Sequence, residues 1–463
     1  MNNQLCNFDV FPKVFPEGRP VTVTIRPLGD HVALKPGAKY AIRVDPCGEG
    51  FVRIPQYQWR REEPIRDVVA CADGGISFTH VFHGEQPQMI RVYEPGQEDI
   101  GDRKCYPNFL LEVTVYSLFE DLCDFYPFRG DLHMHTNRSD GKQAPAIVAA
   151  AYRKFGLDFT VISDHYRYYP SLQAIRAYAD VPLEFTIVPG EEVQLPGNDI
   201  HIVNFGSTYS VNGLIRELAQ VQERGEAVSE RAVVDNPPPV IDSAEYKRQV
   251  NELISTLDIP DGIEAFQYAA CVWACEQIRK GGGISIFAHP YWYHAAWQVP
   301  EDFTRVLLER HPFDAFEVLG GSDEAQQNRL QVCLYNEMRA KGVDFPVVGS
   351  TDSHSCYNNP AGFVASTLVF ARENTRAELV EAVRAGRTVA LDTLATPTQV
   401  VGTFRLQKYA DFLLDYFFPL HDELCFEEGR LMKDYATGDR DAAETLLHIH
   451  GRMRRQREKY FQF

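Results

Sequence analysis

Between residues 128 and 395, short apolar runs alternate with stretches of helical composition, and few folds accommodate such a pattern. The runs lie at 130–133, 159–162, 185–188, 200–204, 284–287, 315–319 and 345–348. The helical stretches lie at 145–155, 211–226, 265–280 and 325–341. Strands that alternate with helices are typical of a parallel sheet covered by helices, which can close into a barrel. We therefore predict an α/β fold for residues 128–395.

The regions on either side of this segment have different patterns. Residues 1–125 contain alternating segments such as Val21–Ile25 and Leu111–Tyr116, separated by turn signals, which predicts a β-sandwich-like domain. Residues 396–463 are amphipathic and rich in aromatic side chains, which predicts a helical C-terminal extension. Its basic end, 452–459, is read as a solvated or internally paired face, with a nucleic-acid contact as the alternative. The 463-residue length is consistent with these three domains.

Imidazole or carboxylate side chains that are candidate metal ligands follow or interrupt six of the seven apolar runs. His133 and His135 stand at the end of the first run, where the two-residue period of extended chain points both imidazoles the same way. Asp140 comes shortly afterwards, in the turn-forming segment 137–141. The later runs contribute the remaining candidates, which are Asp164, His165, Glu191, Glu192, His201, His289, Asp352 and His354.

Taken one at a time, these residues have ordinary explanations. A histidine in a barrel strand is usually a core residue, and an aspartate at a strand end often caps the next helix. In a (β/α) barrel, however, the C-terminal ends of the strands converge on one face, where such folds build their active sites. Converging carboxylates and imidazoles without a cation would leave like charges unpaired. We therefore predict a multinuclear metal site.

The same segments resemble a known family. The motifs are Gly130–Thr136 (Gly-Asp-Leu-His-Met-His-Thr), Ser139–Gly141, Ser163–His165, Gly190–Val193, His201–Val203, Ala288–Pro290 and Ser350–His354. This set is similar to that of the PHP (polymerase and histidinol phosphatase) family. A β domain ahead of the first motif resembles the CehA/McbA-like metallohydrolase branch. The resemblance implies a distorted (β/α)7 PHP barrel that binds two or three divalent metal ions, which are Mn, Zn or Fe.

The resemblance also implies which residues hold each metal. The first metal would be held by His133, His135, Glu192 and Asp352; Glu192 would bridge to a second metal held by His201 and His289; and Asp140, His165 and His354 would hold a third. Some relatives have histidine in place of Asp140, and the harder oxygen ligand favours Mn or Mg over Zn at the third position. The family pattern Gly-x-Glu-Val selects Glu192 over Glu191. Asp164 is expected to orient a ligand histidine or to accept a proton.

Such a site predicts a metal-dependent phosphoesterase. A water shared by two cations is deprotonated near neutral pH, and the resulting metal-bridging hydroxide can attack a small phosphoester or a nucleotide. The cations also neutralise charge that develops on the phosphoryl oxygens. The same site could instead hydrolyse a carboxyl ester, carbamate or amide. A further alternative is a non-catalytic metal-binding module, against which the complete ligand set argues.

Two loops beside the ligands are candidates for substrate recognition. Residues 166–169 follow one ligand and residues 291–294 follow another, and both segments are rich in aromatic side chains. Arg167 or His294 could pair with a phosphate, and the aromatic rings could stack on a base or an aromatic leaving group. Equally, the tyrosines could simply pack the rim of the barrel.

The charge balance limits the partners. The chain has 64 acidic and 46 basic residues, a net charge of −18, which excludes a generally basic protein that coats nucleic-acid phosphates. Bound metals would nevertheless make the site locally positive, so the expected partner is a small anionic substrate, with a nucleotide among the candidates. No apolar run approaches the roughly 18–20 residues of a membrane helix. The N-terminus lacks the pattern of a secretory signal, so a cytoplasmic location is expected.

Overall fold

The computed structural model describes residues 3–48, 63–98, 108–218, 238–320, 325–357, 365–393 and 398–463. This described chain divides into two compact units. The first unit contains Met1–Tyr126, Lys408–His421 and Gly451–Phe463, and the second contains Pro127–Gln407 and Asp422–His450. The residues predicted as a C-terminal extension are therefore shared by both units. The three domains 1–125, 128–395 and 396–463 stay a prediction.

The first unit is built around antiparallel strands. Its elements before residue 126 are α1 Asn3–Asn7, β1 Phe8–Phe11, β2 Val14–Pro16, β3 Pro20–Pro27, β4 Lys39–Pro46, β5 Ile65–Val69, β6 Ile76–Val81, β7 Gln86–Tyr93 and β8 Leu111–Leu118. One sheet has the order β1–β3–β6, and another has the order β2–β8–β7–β4–β5. Alternate residues of β3, such as Val23, join residues of the other sheet, such as Ile90, in one apolar core. Two sheets that share a core in this way form a sandwich.

The second unit alternates strands and helices, as the sequence predicts. Its elements up to residue 392 are β9 Tyr126–Asp131, α2 Pro145–Lys154, β10 Phe159–Val161, α3 Tyr169–Ala177, β11 Thr186–Val188, β12 Gly190–Val193, β13 Ile202–Phe205, α4 Ser243–Ile254, α5 Ala265–Lys280, β14 Ile284–Phe287, β15 Tyr293–His294, β16 Ala296–Trp297, α6 Glu301–Arg310, β17 Ala315–Leu319, α7 Ala325–Ala340, β18 Val347–Gly349, β19 Ala365–Ala371, α8 Arg376–Arg384 and β20 Thr388–Asp392. Each predicted apolar run overlaps a strand. Of the helix predicted at 211–226, the described part contains a 3-10 turn at Asn212–Leu214, and residues 219–226 lie outside the described residues.

The strands of the second unit lie in two larger sheets. Their orders are β11–β10–β9–β19–β20–β21, where β21 is Gln399–Val401, and β12–β13–β14–β17–β18. Strand β13 runs antiparallel to both β12 and β14. For the pair β12–β13, the reason is that segment 194–201 is too short for the crossover of about a dozen residues that a parallel pair needs. The reversal brings the start of β13 to the same edge as the ends of its neighbours.

Isolated bridges link these two sheets where the ligand motifs begin. Met134 pairs with Ser353, and His165 pairs with Glu192. The ends of β9, β10, β12, β14, β17 and β18, together with the start of β13, therefore follow one another around a ring. The predicted distorted (β/α)7 barrel is not confirmed in its regular form, because the strands divide between two sheets and include antiparallel pairs.

The C-terminal region is mostly helical, with one difference from the prediction. Residues 399–401 form β21 rather than helix, paired with β20. The helices that follow are α9 Phe404–Tyr416, α10 Phe418–Ala436, α11 Asp441–Ile449 and α12 Arg452–Tyr460. Within the second unit, Arg153 of α2 is fully buried and its Nε lies 2.5 Å from the Glu428 carboxylate of α10. Among the described helices, none combines the length and the apolar character needed to cross a bilayer.

Candidate metal centre

The structure brings all nine predicted ligands together at the edge where the strand ends meet. Their donor atoms form overlapping groups, within each of which the atoms lie within 4.8 Å of one another. The groups are His133–His135–Glu192, His133–His289–Asp352, His165–Glu192–His201 and His135–Asp140–His165–His354. His201 joins them because β13 is reversed, so that its first residues lie beside the end of β14.

Glu192 stands at the middle of these groups and is fully buried. Its Oε1 lies 2.7 Å from Nδ1 of His201 and 3.4 Å from Nε2 of His289. Its Oε2 lies 2.5 Å from Nδ1 of His165 and 3.6 Å from Nε2 of His135. Despite these short distances, neither oxygen accepts a hydrogen bond of ordinary geometry among the described residues. Buried carboxylate oxygens are normally satisfied, so this geometry fits a bridging metal ligand.

Asp352 approaches the cluster from the end of β18. Its Oδ1 lies 3.0 Å from Nε2 of His135 and 3.4 Å from Nε2 of His133. The backbone φ angles of Asp352 and His289 are 48° and 27°, in the left-handed region that non-glycine residues rarely adopt. Such strain persists where the surrounding structure holds a residue in a required position, which is common at functional sites.

Asp140 forms the more open part of the cluster. Its Oδ2 lies 3.2 Å from Nε2 of His354 and 3.6 Å from Nε2 of His165, and about half of its side chain is exposed. Carboxylate oxygen and two imidazoles within this distance could hold a further ion. His165 belongs both to the group that contains Asp140 and to the group that contains Glu192, so the two groups adjoin each other.

The pKa values in the cluster are set by mutual attraction between opposite charges. Burial alone would raise the pKa of Glu192, but His201, His165 and His133 hold it well below its usual range. Burial would lower the pKa of His133, but the carboxylates of Asp352, Glu192 and Glu317 raise it well above its usual range. The cluster thus favours positive charge between its carboxylates, which divalent ions would supply in place of protons.

Sequence reasoning missed Glu317, which lies in β17. Its Oε2 is 2.9 Å from Nδ1 of His133, and both side chains are completely buried. A carboxylate on the second nitrogen of a ligand histidine orients the ring and makes it a better ligand. The signal was a charged residue inside the apolar run 315–319, because a buried charge is costly unless it is paired. With Glu317 included, every predicted run contributes to the site.

Asp131 is a second residue whose role the sequence did not predict, although it stands in the first motif. Its carboxylate accepts hydrogen bonds from the backbone N–H groups of His133 and Thr351 and from the Thr351 hydroxyl, at 3.1, 3.0 and 2.5 Å. Burial raises the pKa of Asp131 to about 7. Asp131 therefore joins the segment that carries His133 to the segment that carries Asp352.

Glu191 and Glu192 point to opposite sides of β12, as neighbours in a strand do. Glu191 accepts hydrogen bonds from the Ser210 hydroxyl at 2.7 Å, the Asn212 amide at 2.9 Å and the Val211 backbone N–H at 2.5 Å. Its carboxylate thus anchors loop 210–212, whereas that of Glu192 faces the histidines. Of the two carboxylates, that of Glu192 is the one that lies among the imidazole nitrogens.

The predicted catalytic residues occupy different positions. Asp164 accepts hydrogen bonds from the backbone N–H and hydroxyl groups of both Thr136 and Ser139, at distances from 2.6 to 3.0 Å. It contacts the turn that leads to Asp140 rather than a ligand imidazole. Arg167 is half-buried, and its guanidinium makes no ion pair or hydrogen bond within the described chain. His294 lies in β15, but its side chain is outside what the structure describes.

The aromatic residues of the two loops divide between packing and exposure. Tyr168, Tyr169 and Tyr291 are buried. Trp292 and Tyr166 are each 38% exposed, and together with Trp297 they line a pocket of about 340 Å³ beside His201. The remaining lining residues are Gln194, Asn198, Asp199, Ala296 and Gln298.

Comparison with known proteins gives distant structural likenesses. No protein-family model and no curated protein matches the chain. A two-domain protein from Bacteroides vulgatus with a "predicted PHP-like metal-dependent phosphoesterase" matches at 17% identity and a TM-score of 0.36, over 58% of this chain and 65% of that one. An amidohydrolase from Chromobacterium violaceum matches at 18% identity and a TM-score of 0.32, over 56% of this chain and 96% of that one.

Endonuclease Q, in a complex with duplex DNA that carries an abasic lesion, matches at 12% identity and a TM-score of 0.31, over 56% of this chain and 57% of that one. This chain thus spans less than two thirds of the length of endonuclease Q and of the Bacteroides protein. The description of the Bacteroides protein mentions PHP, the family that the motifs indicate. None of the three descriptions mentions the CehA/McbA branch. At TM-scores this low, the function of this chain has to be argued from its own residues.

Proposed function

We propose that the chain is a PHP-type, metal-dependent hydrolase that cleaves a small phosphoester, with nucleotides among the candidate substrates. The observation that carries the proposal is the buried carboxylate of Glu192, which is surrounded by imidazole nitrogens from several segments and accepts no hydrogen bond of ordinary geometry in the described chain. A cluster this rich in ligands is costly to bury without cations. Catalysis is the use of such a cluster that best accounts for its open side at Asp140.

The residues divide among the metals as the resemblance implies. His133, His135, Glu192 and Asp352 would hold the first ion, Glu192 would bridge to the second with His201 and His289, and Asp140, His165 and His354 would hold the third. Ions of Mn, Zn or Fe bound there would activate water and polarise the phosphoryl group. The metal identity and the number of bound ions are part of the proposal.

Other side chains would hold this arrangement in place. Glu317 orients His133 through its Nδ1, and Asp131 joins the two segments that carry His133 and Asp352. Asp164 holds the turn before Asp140. Arg167 stands two residues after the proposed ligand His165, and its guanidinium, which has no ion pair in the described chain, would attract a phosphate.

The test is metal analysis followed by hydrolysis assays on the whole protein. With added Mn, we expect release of nitrophenol from p-nitrophenyl phosphate or from bis(p-nitrophenyl) phosphate, and its loss in His133→Ala and Asp352→Ala. The exposed Glu373→Gln variant is the control for surface changes and should retain the activity. The same preparation would be assayed with p-nitrophenyl acetate.

Each outcome separates one of the alternatives. Cleavage of the acetate alone would overturn the phosphoesterase proposal and favour carboxyl-ester, carbamate or amide hydrolysis. Tightly bound metals without turnover of any ester would favour a non-catalytic metal-binding module. Absence of bound metal after loading would overturn the metal centre itself.

A further inference from the structure

We propose that the pocket beside His201 is a specificity subsite for a planar aromatic group of the substrate that carries a hydrogen-bond donor and no negative charge. This inference rests on the proposed function, because it assigns the part of the substrate that does not react. The pocket is lined by Tyr166, Trp292 and Trp297 together with polar groups. Its volume of about 340 Å³ falls at the small end of ligand sites, which suits a single ring and its linkage.

The aromatic walls are exposed at the place where a substrate would extend from the metals. Tyr166, Trp292 and Trp297 are 38%, 38% and 40% exposed. The Trp292 ring lies 6.3 Å from the ring of the ligand His289, measured between centroids. The exposed indole rings in this pocket present apolar surface to water. A flat aromatic ring of a ligand could stack on them and remove much of that surface from water.

The two tryptophans are held by a short hairpin. Strands β15 and β16 pair Tyr293 with Trp297, and the backbone N–H of Gln298 donates to the carbonyl of Trp292 at 2.8 Å. The Trp297 ring packs edge-to-face on buried Tyr291, with centroids 4.9 Å apart. The rings therefore stand in place before a ligand arrives, which lowers the entropic cost of binding.

Polar groups in the same pocket determine which substituents the bound ring can carry. Gln194 lies in both the pocket and the metal cluster, since its Nε2 is 2.6 Å from Nε2 of His201 and 3.1 Å from Nδ1 of His165. Asp199 is exposed in the pocket, and no cation pairs with its carboxylate within the described residues. A carboxylate in this position accepts a hydrogen bond from a ring donor and repels an anionic substituent.

The first experiment compares benzyl phosphate with cyclohexylmethyl phosphate on the Mn-loaded protein. Both are esters of primary alcohols with six-membered rings, so the pair differs mainly in aromaticity. We expect kcat/KM to favour benzyl phosphate by about tenfold, which is within the range of one stacking interaction. Trp292→Leu and Trp297→Leu should bring the ratio close to one. Phe426→Leu, which removes an exposed aromatic ring from α10, should leave the ratio unchanged.

The second experiment tests the role of Asp199 with 4-carbamoylbenzyl and 4-carboxybenzyl phosphates. These rings have nearly the same shape, but the first carries donors and the second a negative charge. We expect the wild type to favour the carbamoyl compound and Asp199→Asn to lose most of that preference. An unchanged preference in Asp199→Asn would overturn the assignment of Asp199.

The outcomes for the subsite and for the proposed function are distinguishable. Equal hydrolysis of benzyl and cyclohexylmethyl phosphates would overturn the subsite and leave the phosphoesterase intact. If no phosphoester is hydrolysed, the proposed function fails. The subsite is then tested by measuring the binding affinities of benzylphosphonate and cyclohexylmethylphosphonate by calorimetry. Tighter binding of benzylphosphonate that is lost in Trp292→Leu would support it, and equal or absent binding would overturn it.

Discussion

At the scale of single residues, the site depends on which side of a strand a carboxylate faces. Glu191 and Glu192 are neighbours in β12 and are both fully buried, yet their carboxylates contact different groups. Glu191 satisfies three donors of loop 210–212. The carboxylate of Glu192 faces imidazoles and accepts no hydrogen bond of ordinary geometry in the described part of the chain. The pair therefore offers an internal comparison between a structural carboxylate and a ligand.

We predict that Glu192→Gln weakens metal binding by roughly tenfold or more, because the bridging charge is lost. Glu191→Gln should keep the metal stoichiometry but lower the free energy of unfolding by about 1–3 kcal/mol, because a buried donor loses a charged acceptor. Metal analysis and urea denaturation of both variants provide the check. Equal loss of metal in the two variants would contradict the division of roles.

Glu317 should act through His133. Replacing Glu317 by glutamine keeps the shape of the side chain and removes the charge that faces Nδ1 of His133. We expect metal affinity to fall roughly 10- to 100-fold, measured by titration with a competing chelator. The surface variant Glu373→Gln should bind metal like the wild type. Unchanged affinity in Glu317→Gln would show that the contact with His133 does not support the metal ligand.

At the scale of elements, two of the proposed ligands do not stand at the C-terminal end of a strand. His201 is positioned by the direction of β13, and Asp140 is positioned by the turn that precedes it. Strand β13 runs against its neighbours and so brings His201 to the site edge. The turn after His135 is held by Asp164, which accepts four hydrogen bonds from Thr136 and Ser139. Asp140 therefore depends on Asp164 for its position, although the two side chains belong to different segments.

We predict that Asp164→Asn lowers occupancy of the third metal position while the first two ions remain. The amide offers fewer acceptor sites to the turn and brings its own donors against the donors of Thr136 and Ser139. Metal stoichiometry of the loaded protein tests this expectation, with Glu373→Gln as control. A full metal complement with a displaced pH–rate profile would instead favour the alternative that Asp164 accepts a proton.

At the scale of the whole molecule, the chain ends contribute to the unit formed by the first strands. In the first unit, Lys13 donates its backbone N–H to the carbonyl of Tyr460 at 2.7 Å. Its side chain is fully buried, with Nζ 4.6 Å from the centroid of the Tyr460 ring and without a hydrogen-bond partner in the described chain. Burial lowers the pKa of Lys13 to about 8.

This lysine should make stability depend on pH. The unfolded chain keeps the Lys13 proton up to a pKa of about 10.4, whereas the folded chain releases it near pH 8. Between these values the unfolded state binds more protons, so the free energy of unfolding rises with pH. From pH 8 to pH 9.5 we expect a gain of about 1–2 kcal/mol from this group in urea denaturation.

Lys13→Met should be more stable than the wild type at neutral pH and should lose this gain. The exposed Lys35→Met variant is the control and should keep it. The interpretation would be wrong if wild type and Lys13→Met showed the same change between pH 8 and pH 9.5.

The linear pattern of the chain was enough to locate the candidate ligands, because each stands at or near an apolar run and such runs form strands for local reasons. The selection of nine of them, with Glu192 preferred to Glu191, came from the family resemblance. It was also enough to predict the α/β alternation and the β-rich start. It could not assign Glu317 and Asp131, because their roles depend on contacts with residues far away in sequence.

The reversal of β13, the division of the strands between two sheets and the sharing of the C-terminal helices between two units were likewise beyond the sequence. Each of these depends on which segments pack together. The positions of His133 and Glu317, 184 residues apart, illustrate the reason. Local propensity determines where a strand forms, but the free energy of burying a charge beside its partner is defined only once the chain has folded.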